Sequence, residues 1–209
     1  MSGAVTAILL AGLLAAYLLG SIPTGFVLGK AIAGIDIREH GSGNTGATNV
    51  FRVVGKGAGI AALVVDLLKG VFAVLLLRAI ATHFEMAADW QSWVLVTAGL
   101  LAVVGHSKSV WLGFAGGKSA ATGLGVLLAL AWPVGLSVAA VFGTVLAISR
   151  TVSVGSIAAA VSAMVFMWVT DQPLAYLLVA IAGGLYVVLR HRSNISRLIA
   201  GTEPKTFGS

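Results

Sequence analysis

The sequence lacks cysteine and is poor in charge. None of its 209 residues is Cys, which excludes disulfides, thiolate nucleophiles and sulfur-ligated metals. Charged residues make up 10% of the chain, against roughly 25% in an average soluble domain. Hydrophobic residues make up 58%, and the mean hydropathy is +1.02. A soluble fold of this length could not bury so much apolar surface, so the composition predicts a protein embedded in a membrane.

Seven apolar runs are long enough to cross a bilayer, some as short or tilted spans. They cover roughly residues 4–29, 57–80, 91–105, 119–132, 133–149, 154–170 and 173–190. The fourth and fifth runs are continuous, but one helix over both would be about 46 Å long, against a hydrocarbon core of about 30 Å. Trp132-Pro133 is the predicted break, and the first run, which has no basic leader, is taken as a retained span. We predict an all-α integral membrane protein with seven transmembrane helices, forming a single domain over residues 1–209.

The basic residues set the orientation of these spans. With the N-terminus outside, the inner side receives 11 of the 13 Lys and Arg residues, all except Lys69 and Arg78. This asymmetry follows the positive-inside rule. We therefore predict an external N-terminus and a cytoplasmic C-terminus. The net charge of +6 is assigned to topology, and no nucleic-acid partner is expected.

The segment Gly41–Asn49, here called the first loop, is rich in small polar residues and is followed closely by Arg52. Small residues leave backbone N–H groups accessible, and Ser, Thr and Asn side chains add neutral donors, which together suit a phosphate. Arg52 can add a planar, bidentate cation. The alternative is a flexible connector with a helix cap at Asn44 or Thr48.

A second segment, Gly113–Ser119, is called the glycine loop and opens the fourth predicted span. An anion-binding site is predicted here, formed by the glycines, Lys118 and the N-terminus of the following helix. A nucleotide P-loop is excluded because the first glycine of that pattern falls on Leu112 and no strand precedes it. The alternative is a basic anchor at the membrane surface.

Two further candidate segments are Arg150–Ser153 and the polar tail from His191 onward. His191 and Asn194 are three residues apart, so a continuing helix would present them on one face. The alternatives are a structural histidine and basic residues that anchor the last span.

Asp66 and Lys69, within the second predicted span, are also three residues apart. Charges inside a membrane are candidates for function, but we favour a structural ion pair at this position.

Together these segments resemble the bacterial acyl-phosphate-dependent glycerol-3-phosphate acyltransferases, the PlsY family. The resemblance extends over nearly the whole chain. It is carried by the motifs GSIPTG at 20–25, GSGNTGATN at 41–49, DLLKG at 66–70, GGK at 116–118, RTVSVGS at 150–156, and HRSNISRL with GTEPK in the tail. It implies a seven-helix enzyme of the bacterial inner membrane, with its active site facing the cytoplasm and with no metal or cofactor. Such an enzyme transfers an acyl group from acyl phosphate to the 1-hydroxyl of glycerol 3-phosphate, giving lysophosphatidic acid.

The resemblance also implies the site residues. The candidate transition-state contacts are Ser42, Asn44, Asn49 and Ser153. The candidate substrate-binding residues are Thr48, Arg52, Gly116, Gly117, Lys118, His191, Asn194 and Glu203. No general base is assigned, because no histidine is followed five residues later by the Asp of the His-x-x-x-x-Asp pair found in many thioester-dependent acyltransferases. A phosphate of the substrate is instead expected to accept the proton.

The chain departs from the family pattern at three places. Thr45 stands where the family usually has Pro, and Gly105-His106-Ser107-Lys108 stands for a His-x-Phe-Pro run. Ala115 and Ser119 flank the Gly-Gly-Lys where the family has Lys and Gly. These changes leave the role of Lys108 open. The alternative function is a small transporter or channel for an anionic phosphorylated metabolite, with the basic loops as its inner vestibule.

Overall fold

The computed structural model describes residues 2–205, which contain ten α-helices and two short 3₁₀ turns. The helices are α1 (Gly3–Ser21), α2 (Thr24–Ala33), α3 (Ala47–Val53), α4 (Lys56–His83), α5 (Ala88–Ser107), α6 (Ala120–Leu130), α7 (Trp132–Ser149), α8 (Val152–Val169), α9 (Leu174–Arg190) and α10 (Arg192–Ile199). No β-strand occurs in the described chain beyond one isolated bridge between Ser109 and Ala115. The predicted all-α class is confirmed.

Five helices of the described chain are long and apolar enough to cross a membrane, namely α1, α4, α5, α7 and α8. The α9 and α10 helices qualify as a pair, bent by 56° at their junction. The α2 and α6 helices are apolar but have only 10 and 11 residues. Seven spans and their orientation therefore remain a prediction.

Proline sets two of the helix boundaries. The predicted run 4–29 is divided, because α1 ends at Ser21 and Pro23, which has no N–H to donate, precedes α2. The predicted run 119–149 also divides, and the break lies at the extended residue Ala131. Pro133 then occupies the first turn of α7, where no backbone donor is required. The break expected at Trp132-Pro133 is thus displaced by one residue.

The chain divides into two compact units, unit 1 up to Leu130 and unit 2 from Ala131 onward. In unit 1, α4 packs against α1, α3, α5 and α6, and α1 also packs against α5. Glycines allow the close approaches: a Cβ at Gly20 would clash with the backbone of Ala102, and one at Gly70 with the backbone of Thr122. In unit 2, α8 packs against both α7 and α9.

Candidate active site

The first loop is organised by the side chain of Asn49, which is only 2% exposed. Its Nδ2 donates to the carbonyl oxygens of Ile37 at 3.2 Å, His40 at 3.0 Å and Asn44 at 2.9 Å. Its Oδ1 accepts from the backbone N–H of Ser42 at 2.9 Å. One neutral amide therefore holds both ends of the loop, and its hydrogen-bonding capacity is used by the backbone.

The segment that leads into the first loop is anchored by apolar packing and by an ion pair. Ile37 is fully buried in a small core with Val50 and Ala62. Arg38 forms a bidentate pair with Asp36, with 2.7 Å between Nη2 and Oδ2. The hydrogen bond from the Arg38 side chain lowers the pKa of Asp36 from 3.8 to about 2. The carboxylate is therefore ionised at neutral pH and also caps the 3₁₀ turn at residues 37–39.

The other predicted residues of this region lie nearer the surface. Ser42 and Arg52 are exposed, and Asn44 and Thr48 are half-buried. Oδ1 of Asn44 accepts from the backbone N–H of Gly46 at 2.8 Å, which makes a local turn at the position of the family's proline. The loop thus presents small polar side chains on a backbone that is fixed from inside.

The glycine loop is held against the end of α5. The N–H of Gly117 donates to the carbonyl oxygen of His106 at 3.1 Å. A Cβ at Gly117 would clash with the His106 ring, and a Cβ at Gly116 would clash with the His106 carbonyl. Glycine is therefore required at both positions for packing, and Lys118 follows them as a half-buried residue two positions before the start of α6.

Ser119 closes the glycine loop in an unusual conformation. Its φ of 63° lies in the left-handed region, which favours glycine. Its hydroxyl donates to the carbonyl oxygen of Val103 at 2.7 Å and shares a 2.5 Å hydrogen bond with the Ser107 hydroxyl. Two hydrogen bonds thus hold this side chain where the family pattern has glycine.

The ion pair expected within the second predicted span is present. Nζ of Lys69 lies 2.9 Å from Oδ1 of Asp66. Nδ1 of His106 lies 3.6 Å from the same oxygen. The sequence pattern did not predict this third member, because α5 approaches α4 from another part of the chain.

In unit 2, a carboxylate brings together residues from α8, α10 and the tail. Oε1 of Glu203 accepts from Ser153 Oγ at 2.7 Å and from Asn194 Nδ2 at 2.5 Å. Oε2 accepts from Arg197 Nε at 2.7 Å. We call Ser153, Asn194, Arg197 and Glu203 the carboxylate cluster. Three of the four were predicted site residues; Arg197 was not, although a basic residue six positions before a glutamate across a Gly-Thr turn could have indicated the pair.

The pKa of Glu203 reflects this arrangement. Burial is the largest single influence and raises the pKa, but the hydrogen bonds from Asn194, Ser153 and Arg197 together outweigh it. The pKa therefore lies below its usual 4.5, and Glu203 is ionised at neutral pH.

His191 lies at the bend between α9 and α10 rather than within one continuous helix. The residue is 4% exposed, and its Nδ1 lies 2.7 Å from the carbonyl oxygen of Val187. That contact assigns the proton to Nδ1 when the ring is neutral. Asn194, one helical turn on, is 7% exposed. Both side chains are therefore buried within unit 2.

Within residues 2–205, no group of three or more His, Asp or Glu side chains is placed to hold a metal ion. The polar groups are instead hydroxyls, amides, glycine N–H groups and cations at helix ends. These groups define the class: a helical membrane protein that crosses the bilayer several times and carries loops suited to anionic, phosphate-bearing ligands.

A family model described as glycerol-3-phosphate acyltransferase matches residues 10–201, and the chain belongs to this family. The glycerol-3-phosphate acyltransferase of Acaryochloris marina is 55% identical over 92% of this chain and 90% of its own length. The one from Thermosynechococcus vestitus is 51% identical over 98% of both chains.

Two solved structures of PlsY (YgiH), an integral membrane glycerol 3-phosphate acyltransferase, share the fold. The glycerol 3-phosphate form has a TM-score of 0.86 and 40% identity, covering 96% of both chains. The lysophosphatidic acid form has a TM-score of 0.83 and 39% identity, covering 96% of this chain and 95% of that one. The predicted family and the predicted integral membrane class are therefore confirmed, and the comparisons do not favour a transporter or channel.

Proposed function

We propose that this enzyme transfers the acyl group of acyl phosphate to the 1-hydroxyl of glycerol 3-phosphate, releasing lysophosphatidic acid and inorganic phosphate. The observation that carries the proposal is the match over 96% of the chain to a relative solved in both a glycerol 3-phosphate form and a lysophosphatidic acid form. These two molecules are the acyl acceptor and the product of this reaction.

The chemistry requires little from the protein beyond orientation and charge. The hydroxyl oxygen attacks the acyl carbon, the bond from that carbon to the phosphate oxygen breaks, and phosphate leaves. The hydroxyl proton passes to a phosphate oxygen of the substrate, so no protein base is needed. Positioning the reactants and stabilising the developing charge can supply most of the acceleration because the acyl phosphate is already activated.

The loops of unit 1 supply donors for phosphate. Ser42, Asn44 and Thr48 provide hydroxyl and amide groups, Arg52 provides a guanidinium, and the glycine loop provides Lys118. Gly116 and Gly117 let this loop pack against His106, whose carbonyl oxygen accepts the N–H of Gly117. Asn49 acts by shaping the backbone, because its amide already makes four hydrogen bonds. Neutral donors and cations suit a dianion.

The carboxylate cluster of unit 2 has a different chemistry. A carboxylate repels phosphate, so any direct contact of Glu203 with substrate is to a hydroxyl group. Its main action is to hold Ser153 and Asn194, each within 2.7 Å. We assign Ser153, His191 and Asn194 to contacts with glycerol 3-phosphate, with Glu203 as their support.

The membrane arrangement belongs to the same proposal: seven spans, the N-terminus outside, and the active site at the cytoplasmic face of the inner membrane. The natural absence of cysteine makes labelling simple. Of the single variants A87C, K56C and K205C, only A87C should react with an impermeant thiol reagent added from outside. Reaction of the other two, with A87C protected, would reverse the orientation.

The reaction is tested with purified protein, acyl phosphate and glycerol 3-phosphate. Lysophosphatidic acid and free phosphate should appear in equal amounts, whereas acyl-CoA or acyl carrier protein as the donor should give no product. In the same assay, K118A should raise the KM for a phosphate-bearing substrate by about tenfold or more, the effect of losing one charge-assisted contact. Absence of product from folded protein would overturn the function, and a wild-type KM for K118A would remove Lys118 from the site.

A further inference from the structure

Three ionisable side chains are buried inside unit 1 beside the two loops. Asp66 and Lys69 of α4 lie 2.9 Å apart, and His106 of α5 lies 3.6 Å from the same carboxylate oxygen. The three residues are 2%, 4% and 8% exposed. Charges within membrane helices are costly, and an ion pair is often replaceable by apolar residues without loss of stability. We call Asp66, Lys69 and His106 the ion cluster.

Lys69 connects the ion cluster to the break between α1 and α2. Its Nζ donates to the carbonyl oxygen of Ile22 at 3.0 Å. Ile22 follows the last residue of α1, where the carbonyl groups have no partner within the helix and a cation is favourable. The ammonium group therefore bridges Asp66 and the end of α1.

His106 connects the ion cluster to the glycine loop. Its carbonyl oxygen accepts the N–H of Gly117, and its ring lies against the same glycine. A shift or rotation of this histidine would move the backbone of Gly117 directly. The Asp66 carboxylate oxygen, 3.6 Å from Nδ1, lies beyond hydrogen-bonding distance but beside the ring that the loop packs on.

The ion cluster also lies next to the first loop. Asp66, Lys69 and His106 line a small pocket whose wall includes Thr45 and Gly116. One pocket wall thus combines the three buried groups with a residue from each of the two loops.

We propose that the ion cluster positions the first loop and the glycine loop for substrate binding, so that Asp66, Lys69 and His106 are positioning residues of the acyl transfer. The inference rests on the proposed role of the two loops as phosphate sites. A purely structural ion pair would stabilise unit 1 as a whole and would not act on the two loops in particular. If the ion cluster positions the loops, its removal should change loop order and substrate binding more than it changes global stability. If it is purely structural, all three should change together.

The chain offers a matched control on the same helix. Arg78 of α4 is half-buried, and its Nη2 donates to the carbonyl oxygen of Ala129 at 2.6 Å. It lies nine residues beyond Lys69, roughly 13 Å along the helix axis. K69M and R78M each remove a cation that donates to a backbone carbonyl, but only K69M does so beside the loops. Because K69M leaves Asp66 without its cation, D66N/K69M is measured as well.

The experiment uses the full chain in lipid nanodiscs and three readouts: thermal unfolding, amide hydrogen exchange of peptides covering residues 41–49 and 113–119, and steady-state kinetics. For D66N/K69M we expect exchange in both peptides to rise about fivefold or more and the KM for glycerol 3-phosphate or acyl phosphate to rise about tenfold. R78M should lower the unfolding midpoint comparably while leaving exchange and KM within about twofold of wild type. H106A should resemble D66N/K69M, and H106N, whose amide nitrogen can take the place of Nδ1, should restore most of the protection.

The inference is overturned if D66N/K69M and R78M change stability, exchange and KM in the same proportion, or if both loop peptides keep wild-type exchange in D66N/K69M. Hydrogen exchange needs no catalysis, so this result is independent of the proposed reaction. Failure of the reaction would appear as inactive wild-type protein, whereas failure of the inference would appear as unchanged loops.

Discussion

The first loop of unit 1 and the carboxylate cluster of unit 2 are ordered by opposite means. In the first loop, the neutral amide of Asn49 makes four hydrogen bonds, all with backbone groups. In the carboxylate cluster, the charged group of Glu203 accepts three hydrogen bonds, all from side chains. Each region therefore depends on one buried polar side chain, but the two side chains hold different parts of the structure.

The difference fits the ligands that we assign to the two regions. An amide orders the backbone without adding a negative charge, so the electrostatic potential at the first loop stays favourable for phosphate. The side chains on the outer side of the loop can then contact the ligand. A carboxylate orders donors directly, and its negative charge, offset by Arg197, suits hydroxyl groups better than a phosphate. It also makes the carboxylate cluster dependent on pH through Glu203 itself, whereas the amide of Asn49 does not titrate.

The largest effect is expected from removing the organiser of the first loop. N49A removes the donor to the Asn44 carbonyl and the acceptor of the Ser42 N–H, whereas the carbonyls of Ile37 and His40 keep the backbone N–H groups of His40 and Gly43. Each buried group left without a partner costs about 1–3 kcal/mol. We expect a loss of about 3 kcal/mol or more in stability, and near-complete loss of activity. N49D should be no better, because a carboxylate would face three carbonyl oxygens. Thermal unfolding and acyl transfer of the purified variants measure both effects.

N44A is the control for this prediction. Asn44 makes one hydrogen bond through its Oδ1, to Gly46, so its loss should cost only about 1 kcal/mol. If N49A and N44A were equally stable, Asn49 would not be the organiser of the loop.

The second prediction concerns the organiser of unit 2. E203Q keeps an acceptor for Ser153 and Asn194 but removes the charge that binds Arg197. It should therefore lower the free energy of unfolding by about 1 kcal/mol, less than the roughly 2–3 kcal/mol expected for E203A. Both variants should raise the KM for glycerol 3-phosphate more than the KM for acyl phosphate. Thermal unfolding and kinetics with each substrate varied in turn separate these effects. An unchanged KM in E203A would remove the cluster from the acceptor site.

The third prediction tests the pH dependence of the carboxylate cluster. The pKa of Glu203 is lowered in the folded protein from its usual 4.5. Its contribution to stability is therefore complete above pH 4.5 and is lost as the pH falls through the lower folded pKa. The unfolding midpoint of wild type should exceed that of E203Q at neutral pH, and the gap should narrow in acid below that value. A gap that stays constant on acidification would contradict the prediction.

Local patterns predicted a large part of this structure. Apolar runs indicated the membrane class, and Pro133 indicated the division between α6 and α7, because both signals depend on neighbouring residues. The division of the run 4–29 before Pro23 was not predicted. The three-residue spacing of Asp66 and Lys69 predicted their ion pair for the same reason. The motifs of the loops predicted the family, and their order along the chain made that prediction specific.

The features that the sequence did not predict depend on contacts between distant segments of the chain. His106 reaches Asp66 only because α5 packs near α4, and no spacing in the sequence encodes that distance. The hydrogen bonds of the Asn49 amide depend on closure of the loop around it, and the sequence pattern did not indicate them. The left-handed conformation of Ser119 is likewise set by its partners rather than by its own preference.

The smallest effect is expected at Ser119, where the glycine loop of unit 1 is also held by neutral polar groups. The left-handed conformation of a non-glycine residue costs about 1 kcal/mol, and S119G would remove that strain. It would also leave the Ser107 hydroxyl, 1% exposed, without its 2.5 Å partner, at a cost of about 1–3 kcal/mol. S119G should therefore destabilise the protein by roughly 1 kcal/mol, whereas S107A/S119G, which removes both hydroxyls, should lie within about 0.5 kcal/mol of wild type.

Thermal unfolding of S119G, S107A and the double variant gives the coupling between the two hydroxyls. If S119G alone were more stable than wild type, backbone strain would outweigh the hydroxyl pair, and the loop would be held chiefly by the contact between His106 and Gly117.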